Sequence, residues 1–176
     1  MSIKLPILNS RRLILRPISE EDESFIIDLN GDAKVMKYII TPRTKAESIA
    51  DLKRYLTLPE KHQMPIGVWV GITEATNEKV GIFFFSKLAE TGEIELGYRL
   101  AVQHWGRGYA TEGGKCLVEY GLNDLEVTRI VAVTDPDHSA SGHVLQKIGL
   151  LFQKTGTFYG SPSKYYALDL KNTYFM

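Results

Sequence analysis

The stretch that decides the fold is Ile94-Glu95-Leu96-Gly97-Tyr98-Arg99-Leu100, continued by Ala101-Val102-Gln103-His104-Trp105-Gly106-Arg107-Gly108-Tyr109-Ala110-Thr111. Ile94 and Leu96 alternate with Glu95, the period-two pattern of a strand. Gly106 and Gly108 interrupt that pattern, and a helix is predicted from about residue 108 to 122. A strand that feeds a helix through such a turn gathers backbone N–H groups and the positive end of the helix dipole at one point, which suits an anion. Glycine allows close approach and unusual φ angles there, and Arg107 adds a planar fork matched to phosphate oxygens. Strand-to-helix geometry alone would also call for such glycines, so the turn by itself leaves both readings open.

Upstream, residues 12–17 alternate as a short strand ended by Pro17. Ser19-Glu20-Glu21-Asp22 supplies an N-cap and an acidic first turn for a helix to about Asn30, with Gly31 as its stop. Residues 32–38 read as a second short helix. Thr44-Lys45-Ala46-Glu47 is a capping box for a third, predicted to end before Pro59. Strands follow at 66–73, 80–88 and 93–102, the first two joined by a polar turn around Asn77. Beyond the glycine turn and its helix come a β-branched strand at 129–134 and a helix at about 139–148 stopped by Gly149. Two last strands are predicted at 150–158 and 164–170. The expected class is α/β (α+β), a mixed and mostly antiparallel sheet of six to seven strands flanked by helices on both faces.

The 176 residues balance 21 Lys+Arg against 21 Asp+Glu and include one cysteine. No repeat, low-complexity tract or linker divides them, so residues 1–176 are expected to form a single domain. A chain of this length buries roughly 70% of its unfolded surface and needs no disulfide or metal staple. The 44% hydrophobic content supports a packed globule. One cysteine cannot close an internal disulfide, so a reducing, cytoplasmic compartment is expected. No apolar run approaches the roughly 18 residues of a membrane span, and residues 1–14 lack an apolar signal core. Zero net charge disfavours extended nucleic-acid binding. The balance holds by segment, ten basic against nine acidic over 1–60, four against five over 61–102 and seven of each over 103–176. Any bound anion must therefore be held by local geometry. Exposed strand edges and aromatics permit a homodimer without requiring one.

Two phosphate motifs fail on spacing. A P-loop reading of Gly114-Lys115-Cys116 would need glycine where Tyr109 stands and a hydroxyl where Cys116 stands. A dinucleotide fingerprint would need glycine or alanine at Thr111, and an antiparallel meander is the wrong context for it.

Gln103-x-x-Gly106-x-Gly108 resembles the Gln/Arg-x-x-Gly-x-Gly/Ala signature of the GNAT superfamily of acyl-CoA-dependent N-acetyltransferases. More specifically, the chain is similar to the RimJ/RimL branch of ribosomal-protein N-terminal acetyltransferases. The similar segments are Arg11-Arg12-Leu13-Ile14-Leu15-Arg16-Pro17 with Glu20-Glu21-Asp22, Val35-Met36-Lys37-Tyr38 and Glu95-Leu96-Gly97-Tyr98. Further along lie Gly106-Arg107-Gly108-Tyr109-Ala110-Thr111-Glu112, Asp137-His138-Ser139-Ala140-Ser141 and Leu145-Gln146-Lys147-Ile148-Gly149. The resemblance spans about residues 10–170 and implies a GNAT fold with acetyl-CoA as co-substrate and no metal. It implies that backbone groups of Leu100, Ala101 and Val102 pair with the pantetheine arm as an added strand. Amides of Gly106, Arg107, Gly108, Tyr109, Ala110 and Thr111, with the Arg107 side chain, would hold the pyrophosphate. Ser141 and His138 would lie near the pantetheine and thioester. The chain departs from the pattern twice: His138 replaces the usual Asn, and Leu145 stands where many members carry a tyrosine general acid.

Direct transfer needs a neutral amine. Deprotonation at pH 7 costs roughly 1 kcal/mol for an α-amine and about 4.6 kcal/mol for a lysine, so a weak base serves the former. Glu95 is the expected base, set by alternation on the sheet face opposite Ile94 and Leu96; a solvent-facing strand glutamate, like Glu93, is the other reading. Ser141 could donate to the sulfur, or simply satisfy a helix first turn. Tyr38, Trp69, Phe84 and Tyr98 are expected to line the acceptor cleft, while the rest of the Phe83-Phe84-Phe85 run forms sheet core. Cys116 reads as a buried, inert thiol. His62, His104, His138 and His143 show no metal-ligand spacing.

The acceptor the resemblance implies is a protein N-terminal α-amine, with a small-molecule amine such as an antibiotic or polyamine as the alternative. Outside catalysis stand a silent acyl-CoA-binding module and a structural ribosome-associated protein that binds no CoA.

Overall fold

Apolar side chains project from both faces of the central strands, so the sheet must be covered on both sides. In the computed structural model, which describes residues 2–169, this is what happens. The strands are β1 (Leu8–Asn9), β2 (Leu13–Pro17), β3 (Val68–Thr73), β4 (Lys79–Lys87), β5 (Ile94–Leu100), β6 (Arg129–Thr134), β7 (Leu151–Phe158) and β8 (Ser161–Asp169). The helices are α1 (Glu23–Gly31), α2 (Ala33–Met36), α3 (Lys45–Leu56), α4 (Leu58–His62), α5 (Tyr109–Asn123) and α6 (Ser139–Lys147). All described strands join one sheet in the order β1-β2-β3-β4-β5-β6-β8-β7. Every neighbouring pair is antiparallel except β5–β6. The strand beyond the expected six to seven is β1, two residues long and too short to leave a periodic signal. The end of the predicted last strand, Leu170, lies outside the described residues.

Trp69, Phe83, Phe85 and Leu96 pack on one face with Leu117 of α5 and Leu145 of α6. Val68, Val70 and Ile82 pack on the other with Ile26 of α1 and Leu52 and Tyr55 of α3. This alternation corrects one expectation. Trp69 is fully buried on the α5 face, edge-on to Tyr120 at 5.7 Å, with its indole N–H donating to the Pro6 carbonyl at 2.8 Å. Its neighbour Val68 takes the face that carries the cleft.

The capping box forms as read: Glu47 N–H donates to Thr44 Oγ1 at 3.2 Å, and Thr44 N–H to the Glu47 carboxylate at 2.8 Å. One helix end differs from expectation. The first helix runs through Gly31 and stops at Asp32, whose extended backbone and carboxylate cap α2. α3 ends at Leu56, before Pro59 as expected, and Pro59 sits in the first turn of the separate α4, where a missing N–H costs nothing.

The feature that positions the site is a split in the sheet. β5 follows β4 as far as Leu100, yet it pairs with β6 only at Ile94↔Ile130 and Glu95↔Val131. β6 meanwhile stays with β8 from Arg129 to Thr134. Ala101 N–H donates to the Val80 carbonyl at 2.9 Å, so the alternate residues Tyr98 and Leu100 aim their backbone groups away from β4 and into the split.

The entry into α1 is held by Asp22, which is fully buried. Arg16 reaches its carboxylate at 2.7 Å, Lys79 at 2.7 Å and the Ser19 N–H at 2.9 Å. Burial alone would raise the Asp22 pKa, but these hydrogen bonds outweigh it and hold it at about 2. A carboxylate with a depressed folded pKa stabilises the fold above its ordinary pKa near 3.8, and that contribution is lost as pH falls through about 2. Asp22→Asn should therefore cost about 2 kcal/mol at pH 7 and nearly nothing at pH 2, read from denaturant midpoints. An equal cost at both pH values would contradict this.

Candidate active site

Where β5 and β6 part, a cleft of about 650 Å³ opens between the diverging strands, α2, α3, the start of α6 and the β7–β8 turn. Glu95 lies in its wall at the last paired position, only 5% exposed. Burial pushes its carboxyl up to about 7, with Glu90 adding to the rise and a hydrogen bond from Tyr159 opposing it. A carboxyl poised near neutrality is half ionised at pH 7, the condition in which it can accept a proton and give it up again. Glu93 is no equivalent: Arg129 at 2.9 Å and the Tyr165 hydroxyl at 2.7 Å occupy its carboxylate.

The phenol of Tyr159 donates to Glu95 Oε2. Tyr159 occupies the two-residue turn between β7 and β8 with φ of +51°, and its N–H donates to Glu90 at 2.5 Å. Burial raises the Tyr159 pKa and the adjacent Glu95 and Glu90 raise it further, so the phenol stays protonated as a donor.

Across the cleft, the Tyr98 hydroxyl donates to Ser141 Oγ at 3.2 Å, which leaves the serine proton free to point elsewhere. Ser141 lies in the first turn of α6, and Leu145 lines the cleft one turn on. His138 caps the same helix with its backbone, and its ring stacks on Tyr38 at 4.5 Å. Burial lowers the His138 pKa, Lys37 lowers it too, and Asp135 opposes them. Phe84 lies flat against Gly97, where any side chain would collide with its ring. The cleft thus gathers Glu95, Ser141, Tyr38, Phe84, Tyr98 and His138, and leaves out Trp69.

The glycine turn stands outside the cleft walls, past the C-terminal end of β5 and the 3-10 turn that follows it. Gly106 and Gly108 take φ of +71° and +79°, a region costly for other residues. The first intrahelical bond of α5 runs from Glu112 N–H to the Gly108 carbonyl at 3.0 Å. The N–H groups of Tyr109, Ala110 and Thr111 therefore precede the ladder and are available to an anion. Arg107 is exposed beside them.

The expectation for residues 100–102 is narrowed. Leu100 carbonyl accepts the Trp105 indole N–H at 2.9 Å, Ala101 carbonyl accepts His104 N–H at 3.0 Å and Val102 carbonyl accepts Trp105 N–H at 3.1 Å. Ala101 N–H is taken by Val80. A short 3-10 turn over Val102–His104 follows directly, so the free strand edge lies at the N–H and carbonyl of Tyr98 and the N–H of Leu100.

Cys116 is buried, with its thiol pushed up to about 11 by burial and by Glu119 and Glu112, which makes it a poor nucleophile. Among the described residues no group of three His, Cys, Asp or Glu side chains is arranged to hold a metal, and no helix is long and apolar enough to cross a membrane.

Sequence reasoning missed Tyr159, Arg12 and Arg99. Arg12 stacks over Tyr109 at 4.6 Å, and its backbone and side chain both bond Glu112, at 2.6 and 2.7 Å. One of its terminal nitrogens lies beside Gly108, which adds a cation to the glycine turn. Its distance from the turn in sequence hides this. Tyr159 carried one usable signal, a Tyr-Gly pair between two alternating runs.

The fold and this site define a class. Residues 12–151 match the family described as acetyltransferase (GNAT) domain, and the chain belongs to that family. It is an N-acetyltransferase. It is 33% identical over 155 residues to the uncharacterized N-acetyltransferase YoaA of Bacillus subtilis, covering 86% of this chain and 85% of that one. It is 31% identical over 166 residues to the FsC-acetyl coenzyme A-N(2)-transacetylase of Aspergillus fumigatus, covering 88% of this chain and 69% of that one. An acetyltransferase from Agrobacterium tumefaciens shares the fold with a TM-score of 0.83 at 22% identity, over 96% of each chain. So does RimL, a ribosomal L7/L12 alpha-N-protein acetyltransferase solved with coenzyme A, with a TM-score of 0.78 at 17% identity over 93% of this chain and 98% of that one.

Because the Tyr159 hydrogen bond lowers the Glu95 pKa, removing it should raise that pKa above its value of about 7. Tyr159→Phe should therefore shift the acid limb of the pH profile of kcat/KM to higher pH, by on the order of one unit. An unmoved limb would mean that the phenol does not set the carboxylate.

Proposed function

We propose that this protein transfers the acetyl group of acetyl-CoA to a primary amine in the cleft, with Glu95 as general base and the α-amine of a protein N-terminus as the acceptor. One observation carries the reading: a buried carboxyl with a pKa of about 7 sits where β5 and β6 part. An α-amine near 7.8 is matched to such a base, whereas a lysine near 10.4 leaves a far larger proton-transfer cost. The similarity to the RimJ/RimL branch and the fold shared with RimL support the same acceptor.

The residues present fit the coenzyme. The N–H groups around Gly106, Arg107, Gly108, Tyr109, Ala110 and Thr111, joined by the Arg107 and Arg12 side chains, suit a pyrophosphate. The edge of β5 at Tyr98 and at the Leu100 N–H offers backbone groups to the amides of the pantetheine arm. That line leads to Ser141 and Glu95.

Glu95 takes a proton from the ammonium or the attacking amine through its Oε1, since Tyr159 occupies Oε2. The amine nitrogen bonds to the thioester carbonyl carbon, and the carbon–sulfur bond then breaks with its electron pair on sulfur. Ser141, whose oxygen accepts from Tyr98, hydrogen-bonds the departing sulfur, which leaves as the thiol with the proton lost from the amine nitrogen, relayed through Ser141 so that the serine hydroxyl is regenerated. In this reading the Tyr98–Ser141 pair takes the place of the tyrosine acid that Leu145 excludes. The buried, high-pKa Cys116 fits a reducing cytoplasmic setting and takes no part.

Glu95→Gln should lower kcat/KM for an Ala- or Ser-starting peptide by about 100-fold or more at pH 7. The acetyl-CoA dissociation constant should change less than about twofold, since the coenzyme contacts lie elsewhere. Unchanged turnover would rule out the base assignment, and loss of acetyl-CoA binding would reassign Glu95 to the coenzyme site.

A further inference from the structure

On β5, Arg99 shares a face with Glu95, about 13 Å further along the strand. Its Nη1 donates to Asn30 Oδ1 at 2.7 Å, while its Nε is buried with no partner among the described residues. Asn30, itself fully buried, passes the connection on through Nδ2 to Asp51 at 3.3 Å. The same Asp51 carboxylate receives Arg43 at 3.1 Å and Arg54 at 3.0 Å. One carboxylate thus bonds two guanidinium groups directly and is linked to a third only through the Asn30 amide.

The imbalance holds for the whole wall. Apart from Glu95, the cleft is lined by the cations Lys37, Arg43, Arg54 and Arg99 against the carboxylates Asp51 and Asp135. The chain as a whole is neutral, so the excess is local. Partly buried guanidinium groups that outnumber their counter-charges favour an anion that completes their pairing. Arg54 is placed to meet one. Its side chain is 55% exposed with a single terminal nitrogen engaged on Asp51, and its charge is felt by Tyr159, the partner of Glu95. A planar fork with spare donors is the geometry that grips a carboxylate.

We propose that the acceptor is an acidic amine, one that carries a carboxylate a few ångströms from the primary amine it presents to Glu95. Arg54 binds that carboxylate, with Arg43, Asp51, Asn30 and Arg99 as the chain that fixes Arg54 and supplies the positive field. The same wall repels polycationic amines. The proposal rests on the acetyl-transfer reading of the cleft. Either a free acidic amino acid or a polypeptide N-terminus with an acidic residue close behind would supply the chemistry.

Initial rates of thiol release from acetyl-CoA test this with matched acceptors: Ser-Glu-Ala against Ser-Gln-Ala, glutamate against glutamine, and spermidine as the cationic control. The acidic member of at least one pair should be favoured by about tenfold or more in kcat/KM, the scale of one charge-assisted hydrogen bond. The pair that shows the preference separates peptide from free amino acid. Arg54→Gln should bring that preference close to unity through a raised KM for the acidic acceptor, with the KM for acetyl-CoA unchanged. Equal rates within both pairs, a preference for spermidine, or a preference that survives Arg54→Gln would overturn the proposal while leaving acetyl transfer intact. No release with any amine would overturn acetyl transfer and this proposal together.

Discussion

The parting of β5 from β6 after Glu95 and Val131 is the constraint on which the rest depends. A sheet that stayed paired would bury Glu95 without access and satisfy the backbone edge at Tyr98 and Leu100. Because the strands diverge, one side of β5 stays hydrogen-bonded to β4 while the other is left open. Such an edge normally invites unwanted pairing. Here it borders a cleft roofed by α2, α3 and the β7–β8 turn. The packing that holds the split open is asymmetric: α5 and α6 cover one face, and α1 and α3 cover the other.

Burial at this split does two different things to charge. It raises the Glu95 carboxyl to about 7, because the surroundings offer it one phenol and a nearby second carboxylate instead of a cation. Asp22, equally buried, is driven down to about 2 because Arg16 and Lys79 bond it directly. The same burial thus leaves one carboxyl poised near neutrality and the other held ionised, according to whether a cation bonds it. Further along the cleft the balance reverses, and Asp51 is crowded by guanidinium groups. A neutral chain thereby carries a carboxyl poised near neutrality and a basic wall next to it.

Much of the fold was legible because its signals are local. The Thr44 capping box, the Gly149 stop and the alternation of the central strands each depend on a few adjacent residues. The glycine turn was legible for the same reason: Gly106 and Gly108 take the positive φ angles that glycine is needed for. Trp69 was expected in the cleft, but strand phase decides which face a side chain takes, and it turns Trp69 to the α5 side. Tyr159, Arg12 and the Arg99–Asn30–Asp51 chain were not legible at all. Their partners are 64, 100 and 69 residues away for the first bond of each, and no local pattern encodes such contacts.

The diverging strands hold Glu95 as a carboxyl poised near neutrality. The direct measurement is an NMR titration of the Glu95 side-chain carboxyl carbon in the intact protein, assigned by its loss in Glu95→Gln. The midpoint is expected near pH 7. A midpoint near the ordinary 4.5 would mean that water reaches the carboxylate freely, and would contradict it.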